Sequence, residues 1–387
     1  MNSVNLVESN TMVSDTESDS ESNSDSDSET ETFNENVLKA LTSTEPTIEP
    51  VYHRIIGYAG VGKSSYILNT FSKENYIITA FTGIAAARLG SKTLSSMFKL
   101  GQDSANPIEL CTKILYRCKE HHIIREMKGL IVDEFYTAPN EVMTKVNEIL
   151  QIIRRNHLPF GGLDLVLVGD DRQTKCVDSN AFVDSELYQS LKFVETILPK
   201  HDKMRLQPKY MAFCDRFRNP KLDSDKILLL LEDPRFAKSE VPGMFVYHEN
   251  KHVDARNALE MDKFKGEVLG EIDGIQYKKN CPIIILNNSK YGANGMIAKL
   301  NNITKKITKK YIELEFESET VHAPLNSVKF APAFSITIHK AQCQTFKGIN
   351  LYISRRRIER NRSESIRLIY TSLTRVSRFT KCFIGFL

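Results

Sequence analysis

The chain has 387 residues, 41% of them hydrophobic, which is enough for two domains with substantial cores. No apolar run reaches membrane-spanning length and the N-terminus lacks signal-peptide character, so no membrane partner is expected. Its seven cysteines form no CxxC pair; this argues for reduced thiols in an intracellular protein, nuclear or cytoplasmic, and against a zinc site.

Charge divides the chain. Residues 1–50 hold twelve acidic residues and one basic, Lys39, for a net −11, while the remainder holds 51 basic and 36 acidic, net +15. A basic body behind an acidic segment points to a polyanionic partner, nucleic acid first. Residues 1–32 are Ser, Asp, Glu, Thr and Asn with almost nothing apolar, so a disordered acidic tail is expected through about residue 50. Its Ser-Asp and Ser-Glu steps suit an acid-directed kinase; the alternative is a passive solubilising tail.

From Val51 the pattern alternates. Val51–Ile56 reads as a strand and Ser64–Phe71 as a helix, with Gly57-Tyr58-Ala59-Gly60-Val61-Gly62-Lys63-Ser64-Ser65 between them. This fits GxxxxGK[ST], the phosphate-binding loop. Gly57, Gly60 and Gly62 give the backbone turns that aim N–H groups at phosphate oxygens, with Val61 and Ser65 in the same loop. Lys63 brings charge to the β- and γ-phosphates, and the Ser64 hydroxyl suits Mg²⁺. ATP and Mg²⁺ are therefore the expected cofactors.

Tyr76–Phe81 reads as a buried strand, Thr82–Gly90 as a turn into a short helix, and Gly129–Glu134 as a strand ending in two carboxylates. Val142, Val146, Ile149, Leu150 and Ile153 recur at helical spacing, and Leu163–Asp170 is the next apolar strand. Near-continuous apolar strands between helices predict a parallel sheet covered on both faces. Asp133 then falls where it would hold Mg²⁺, and Glu134 where it would deprotonate the attacking water. Gln173, beyond the following strand, is placed to sense the γ-phosphate.

These stretches together resemble the Pif-type family of the superfamily-one B helicases. The phosphate loop resembles that family's GxAGTGKS, Thr79–Ala86 its TASTGIAA, Lys92–Phe98 its TTLHSF, and Pro159–Asp170 its PFGG signature. Farther on, Phe245–Asn257 resembles VxxxNxxVDxxN, Asn294-Gly295-Met296 the NGxxG turn, Ser335–Thr345 SxxIHKSQGQT, and Tyr370–Arg375 YVALSR. The resemblance covers about residues 51–387 and implies two RecA-like α/β lobes, 51–199 and 200–387, with a small β insert near 288–330. It implies that Arg205 and Arg375 reach the γ-phosphate from the second lobe. It also implies that Thr82, Gly83, Thr93, Phe98, His339 and Lys340 line a track for single-stranded DNA. Phe98 is read either as a base-stacking ring or as an ordinary core aromatic.

The expected function is ATP-dependent translocation and unwinding on single-stranded or junction DNA, 5′ to 3′, in DNA replication, repair or recombination. RNA, acted on by a viral superfamily-one helicase, is the second candidate, and a non-unwinding ATPase that recruits partners is the third. The acidic tail would contact a protein partner or the chain's own DNA channel. The chain departs from the family in three places. Residues 45–56 hold no adenine-selecting Gln, Thr174-Lys175-Cys176-Val177 replaces LPPV, and Cys343 replaces a glycine of QGQT. With little room for accessory domains, a minimal viral or mobile-element version is expected.

Overall fold

The computed structural model describes residues 49–100, 106–117, 121–176, 180–201, 204–306, 309–317 and 319–387. The acidic segment expected as a tail lies outside the described residues up to residue 48. The first sheet contains β1 (Tyr52–Ile56), β2 (Tyr76–Ala80), β3 (Lys92–Thr93), β4 (Gly129–Asp133), β5 (Asp164–Gly169) and β6 (Phe193–Ile197). All are parallel, in the order β3-β2-β4-β5-β1-β6. β4 and β5 are buried along their whole length, which explains their unbroken apolar runs. Because β1 and β4 both pair with β5, Gly57, the Asp133-Glu134 pair and Asp170 emerge on one edge, at the strands' C-terminal ends.

Helix Asn140–Arg154 buries Met143, Val146, Ile149, Leu150 and Ile153 against this sheet. It runs into the Pro159–Gly162 turn, where Phe160 and Gly161 take φ of 53° and 62°. The Phe160 ring is fully buried, and its N–H donates to Asn147 Oδ1 at 2.7 Å. Gly161 is required on two counts: its positive φ, and a Cβ there would stand 2.5 Å from the Leu150 carbonyl oxygen. Arg154 ties the turn down by donating to the Gly161 carbonyl at 2.8 Å.

The second lobe has its own parallel sheet of β7 (Met244–Tyr247), β15 (Ser335–Thr337), β16 (Ile349–Ile353) and β17 (Cys382–Phe386), ordered β15-β7-β16-β17. Its core holds Val246, Ile336, Leu351, Leu368 and Leu373. Between β7 and β15 the chain makes helix Asn250–Lys263, a hairpin of β8 (Val268–Ile272) and β9 (Ile275–Lys278), and a five-stranded antiparallel sheet. That sheet comprises β10 (Cys281–Ile285), β11 (Ile297–Lys306), β12 (Lys309–Glu315), β13 (Thr320–Pro324) and β14 (Phe330–Pro332).

The insert is therefore wider than the expected 288–330. Cys281–Ile285 pairs antiparallel with both β11 and β14 and belongs to the insert. A short apolar run reports burial but not which sheet it joins, so the sequence left this open. Ile312, Leu314 and Phe316 face the insert's core, while Glu315 pairs outward with Lys299 at 2.7 Å.

Candidate active site

The phosphate loop leaves β1 and enters helix Lys63–Thr70 through Gly62, whose φ of 96° is left-handed; Gly60 is left-handed too, at 77°. Gly57 has a different reason to be glycine. A Cβ there would lie 2.7 Å from Val61 Cγ1 and 3.1 Å from Lys63 Cγ, so the loop needs the space. The N–H groups of Lys63, Ser64 and Ser65 open the helix and have no partner within it. Lys63 is buried, and its ammonium donates to the carbonyls of Gly57 at 3.0 Å and Tyr58 at 3.3 Å. These donors converge where the positive end of the helix dipole lies.

Asp133 ends β4 and is buried, with Ser64 Oγ 3.5 Å from its Oδ2. Burial and the neighbouring Glu134 carboxylate push the Asp133 carboxyl up to about 7, against the pull of Lys63. Two oxygens, a hydroxyl and a carboxylate that gains from a nearby cation, fit a hard divalent ion such as Mg²⁺. Glu134 is left-handed, at φ 59°, and its N–H donates to Asp133 Oδ1 at 2.9 Å. That strained turn separates the two carboxylates. Glu134 Oε2 accepts from Gln342 Nε2 of the second lobe at 3.3 Å. The Gln342 carbonyl oxygen in turn accepts from the Thr174 hydroxyl, back in the first lobe.

Two arginines come from the second lobe's side. Arg205 lies against Gly60, where a Cβ would stand 3.0 Å from Arg205 Cβ. It donates to Thr345 Oγ1 at 2.6 Å and to the Thr374 carbonyl at 2.7 Å, and its Nε is buried without a partner. Burial, with Arg375 and Arg88 nearby, pulls its pKa down to about 9. Arg375 is 2% exposed and is held by the Thr371 carbonyl and Thr374 Oγ1, both at 2.8 Å. Its own lobe grips it from three sides, Gln344 being the third. Burial lowers its pKa, and the Cys343 and Glu134 groups oppose that. Among the described residues neither arginine has a carboxylate in ion-pair contact. The buried Arg375 and the half-buried Arg205, neither with a carboxylate partner, stand beside Lys63 and unpaired N–H groups and form a donor set that fits a polyphosphate.

Gln173 is buried and donates to Asp170 Oδ2 at 3.2 Å, while its side-chain Oε1 has no partner. Asp170 holds a network that the sequence did not reveal. It accepts from Arg218 at 2.7 Å and from the Tyr370 hydroxyl at 2.9 Å, both of the second lobe. Burial would raise the Asp170 carboxyl; Lys63 and Arg218 outweigh it and hold it below the usual range. Arg218 also reaches Asp171 at 2.7 Å and lies 4.1 Å above the Tyr58 ring, where Lys200 Nζ also sits at 4.1 Å. Arg218 carries no recognisable spacing signal; Gln342 stood inside a quoted motif and received no role.

The expected DNA residues separate into two groups. Thr82 caps helix Gly83–Arg88, and its hydroxyl stands 3.4 Å from Cys343 Sγ. Gly83 packs on the insert, where a Cβ would meet Asn288 Oδ1 at 2.7 Å. With Thr93, the cap of helix Leu94–Met97, it lines a groove of about 420 Å³ whose far wall is Asn288–Ala293 of the insert. Lys340 is exposed, and His339 is half-buried, 6.1 Å from His248 by ring centroids. Phe98 is a correction. It is fully buried in the first lobe's core with Leu94, Leu130 and Phe135, so no base can stack on it. The short Leu94–Met97 helix turns its apolar side inward and takes Phe98 with it.

Two parallel-sheet lobes meeting over a phosphate loop, with an antiparallel insert in the second, define a two-lobed RecA-like α/β fold. Within that class the chain is similar to Pif1-type helicases. A model described as "PIF1-like helicase" matches residues 29–209. The ATP-dependent DNA helicase PIF1 of Saccharomyces cerevisiae is 27% identical over 240 residues, 56% of this chain and 27% of that protein. The Emericella nidulans PIF1 is 26% identical over 68% of this chain and 38% of its own length. The chain thus matches only about a quarter to two fifths of these curated relatives. The Candida albicans Pif1 crystal structure superposes with a TM-score of 0.65 at 20% identity, covering 92% of this chain and 94% of that one. Bacteroides Pif1 bound to single-stranded DNA gives 0.63 at 19%, covering 92% and 91%. These likenesses show the fold. Among the described residues no helix is long and apolar enough to cross a membrane.

Proposed function

We propose that this chain is an ATP-driven DNA helicase that translocates on single-stranded DNA, 5′ to 3′. The observation that carries it is the meeting of Lys63, Asp133 and Glu134 with the buried Arg375 and the half-buried Arg205, neither of which has a carboxylate partner among the described residues. In this reading the phosphate loop and Lys63 hold the β- and γ-phosphates, and Ser64 and Asp133 hold Mg²⁺. The metal supplies charge neutralisation between the phosphates when bound. Glu134 takes the proton of the attacking water, Gln173 orients that water beside the γ-phosphate, and the two arginines stabilise the transferring charge. Loss of the γ-phosphate removes the anion that both arginines face, so the lobes separate, and strand held across both lobes moves by a step. The relatives are named ATP-dependent DNA helicases, and one neighbour was solved on single-stranded DNA, which supports DNA over RNA.

The test combines two variants with two substrates. Lys63→Ala is expected to lose ATP binding and hydrolysis, and Glu134→Gln to bind ATP but hydrolyse it at least about a hundredfold more slowly. Wild type should open a duplex with a 5′ overhang and leave one with only a 3′ overhang closed. Wild-type hydrolysis rates in Glu134→Gln would overturn the base assignment. Activity confined to 3′ overhangs would overturn the direction, and activity confined to RNA would overturn the substrate.

A further inference from the structure

Between β16 and helix Arg362–Leu373 the chain reads Arg355-Arg356-Arg357-Ile358-Glu359-Arg360-Asn361-Arg362, five arginines in eight residues. Residues Arg355–Arg360 form a short helix. Only Ile358 of that helix is fully buried, anchoring it to the second lobe's core. Two of the arginines are committed to the protein. Arg355 pairs with Glu232 at 2.7 Å and lies over the Phe386 ring at 3.9 Å, and Arg357 pairs with Glu364 at 2.8 Å.

The other three, Arg356, Arg360 and Arg362, are exposed and make no ion pair or hydrogen bond among the described residues. Local energetics work against this arrangement. Arg356 stands with Arg355 and Arg357 in the helix's first turn, at the positive end of its dipole. Arg356 and Arg360 are four residues apart on one helix face, a like-charge pair that repels. Folding is served by Ile358 and the two paired arginines; nothing in the fold calls for the other three.

Their place supplies the reason. Asn361 and Ser363, on either side of Arg362, join Glu364 and Arg367 in one wall of an inter-lobe cleft of about 330 Å³. His339 also lines this cleft, with Thr174 and Lys175 of the first lobe opposite. His339 begins the expected track on the second lobe, so the arginine turn flanks the mouth of that track. Guanidinium forks suit phosphate oxygens, and exposed ones retain their freedom to follow a flexible backbone.

We propose that Arg356, Arg360 and Arg362 form a backbone-binding extension that grips the phosphates of single-stranded nucleic acid running past His339. The proposal rests on the single-strand reading above. It assigns no base contact to these residues, so the grip is independent of sequence. Three phosphate contacts on a single strand would contribute about 2 to the slope of log affinity against log salt.

The experiment measures fluorescence anisotropy of the full chain with oligothymidines of about 8 and about 20 nucleotides, spanning ordinary single-strand site sizes. Wild type is compared with Arg356→Ala/Arg360→Ala/Arg362→Ala and with the matching triple Lys variant. On the short strand all three should bind alike. On the long strand wild type should bind more tightly than the Ala variant, and its advantage should shrink about fifteenfold from ~50 to ~200 mM salt. The Lys variant should keep most of the salt slope. Equal affinity and slope for wild type and the Ala variant on the long strand overturns the proposal and leaves a solvated face. Failure of all three to bind either strand defeats the single-strand reading itself. If the long-strand affinities are equal and a labelled peptide of residues 8–31 binds wild type but not the Ala variant, the turn holds the chain's own acidic segment, and the nucleic-acid assignment falls.

Discussion

At the scale of single residues, the useful contrast is between Phe98 and Cys343. Phe98 sits in a segment that resembles a DNA-contacting motif, yet its ring is wholly enclosed. Phe98→Ala should therefore cost about 3–5 kcal/mol of stability through the cavity it leaves. Strand affinity per folded molecule should be unchanged. Thermal unfolding beside anisotropy at a temperature where the variant is folded checks this, and a loss of affinity without a loss of stability would restore the stacking role. Cys343 takes φ of 63°, the left-handed geometry that glycine adopts most readily. Its side chain fits because it packs against Thr82 and the apolar residues around Ile84 and Met204, where burial drives its thiol pKa far up and keeps it protonated.

At the scale of an element, the segment from β15 through helix Ile338–Ala341 to Gln344 links the expected track to the chemistry. Its start carries His339 and Lys340, and four residues on from Ile338 Gln342 holds Glu134 and Thr174 at once. Gln344 fastens the segment to the insert through the Gly295 carbonyl at 3.1 Å and to the Lys340 carbonyl at 2.7 Å. A shift of the track helix therefore moves the group that orients the expected base. Gln342→Ala should lower kcat for strand-stimulated ATP hydrolysis by about tenfold, the value of one hydrogen bond to a charged group. KM for ATP should hold within about twofold, and Gln342→Glu should be worse because it sets a second carboxylate against Glu134. Steady-state kinetics decides it: a raised KM with kcat intact would reduce Gln342 to a spacer between lobes.

At the scale of the molecule, the lobes are joined by the Asp170, Arg218 and Tyr370 cluster and by Arg367, which donates to the Asp171 and Gln173 carbonyls at 2.6 and 3.0 Å. The Asp170 carboxylate is fully enclosed. Asp170→Asn should cost about 2 kcal/mol, because it removes the enclosed one of the two carboxylates that hold Arg218 and leaves Asp171 to pair with it. Folding holds the Asp170 pKa below its unfolded value, so this stabilisation is complete above the unfolded value of about 3.9 and is lost as pH falls through the folded one. Denaturation at neutral pH should separate wild type from the variant, and the gap should close below about pH 4. An unchanged gap across that range would show that the ion pair is not what joins the lobes.

Local sequence determined the features that local chemistry enforces. The phosphate loop shows in its glycines, the parallel sheet in strands apolar on both faces, and the carboxylate pair in its position at a strand's end. Each of these depends on neighbours a few residues apart, within reach of backbone sterics and periodicity. The insert's true extent, the enclosure of Phe98 and the Arg218 and Gln342 bridges depend on which surfaces meet. Arg218 and Asp170 are 48 residues apart, Gln342 and Glu134 208 apart. Long-range pairs of polar groups leave no periodic trace in a chain. They are fixed only when two separately folded cores dock and bury the groups between them, where each must find a partner or carry the cost of an unpaired charge.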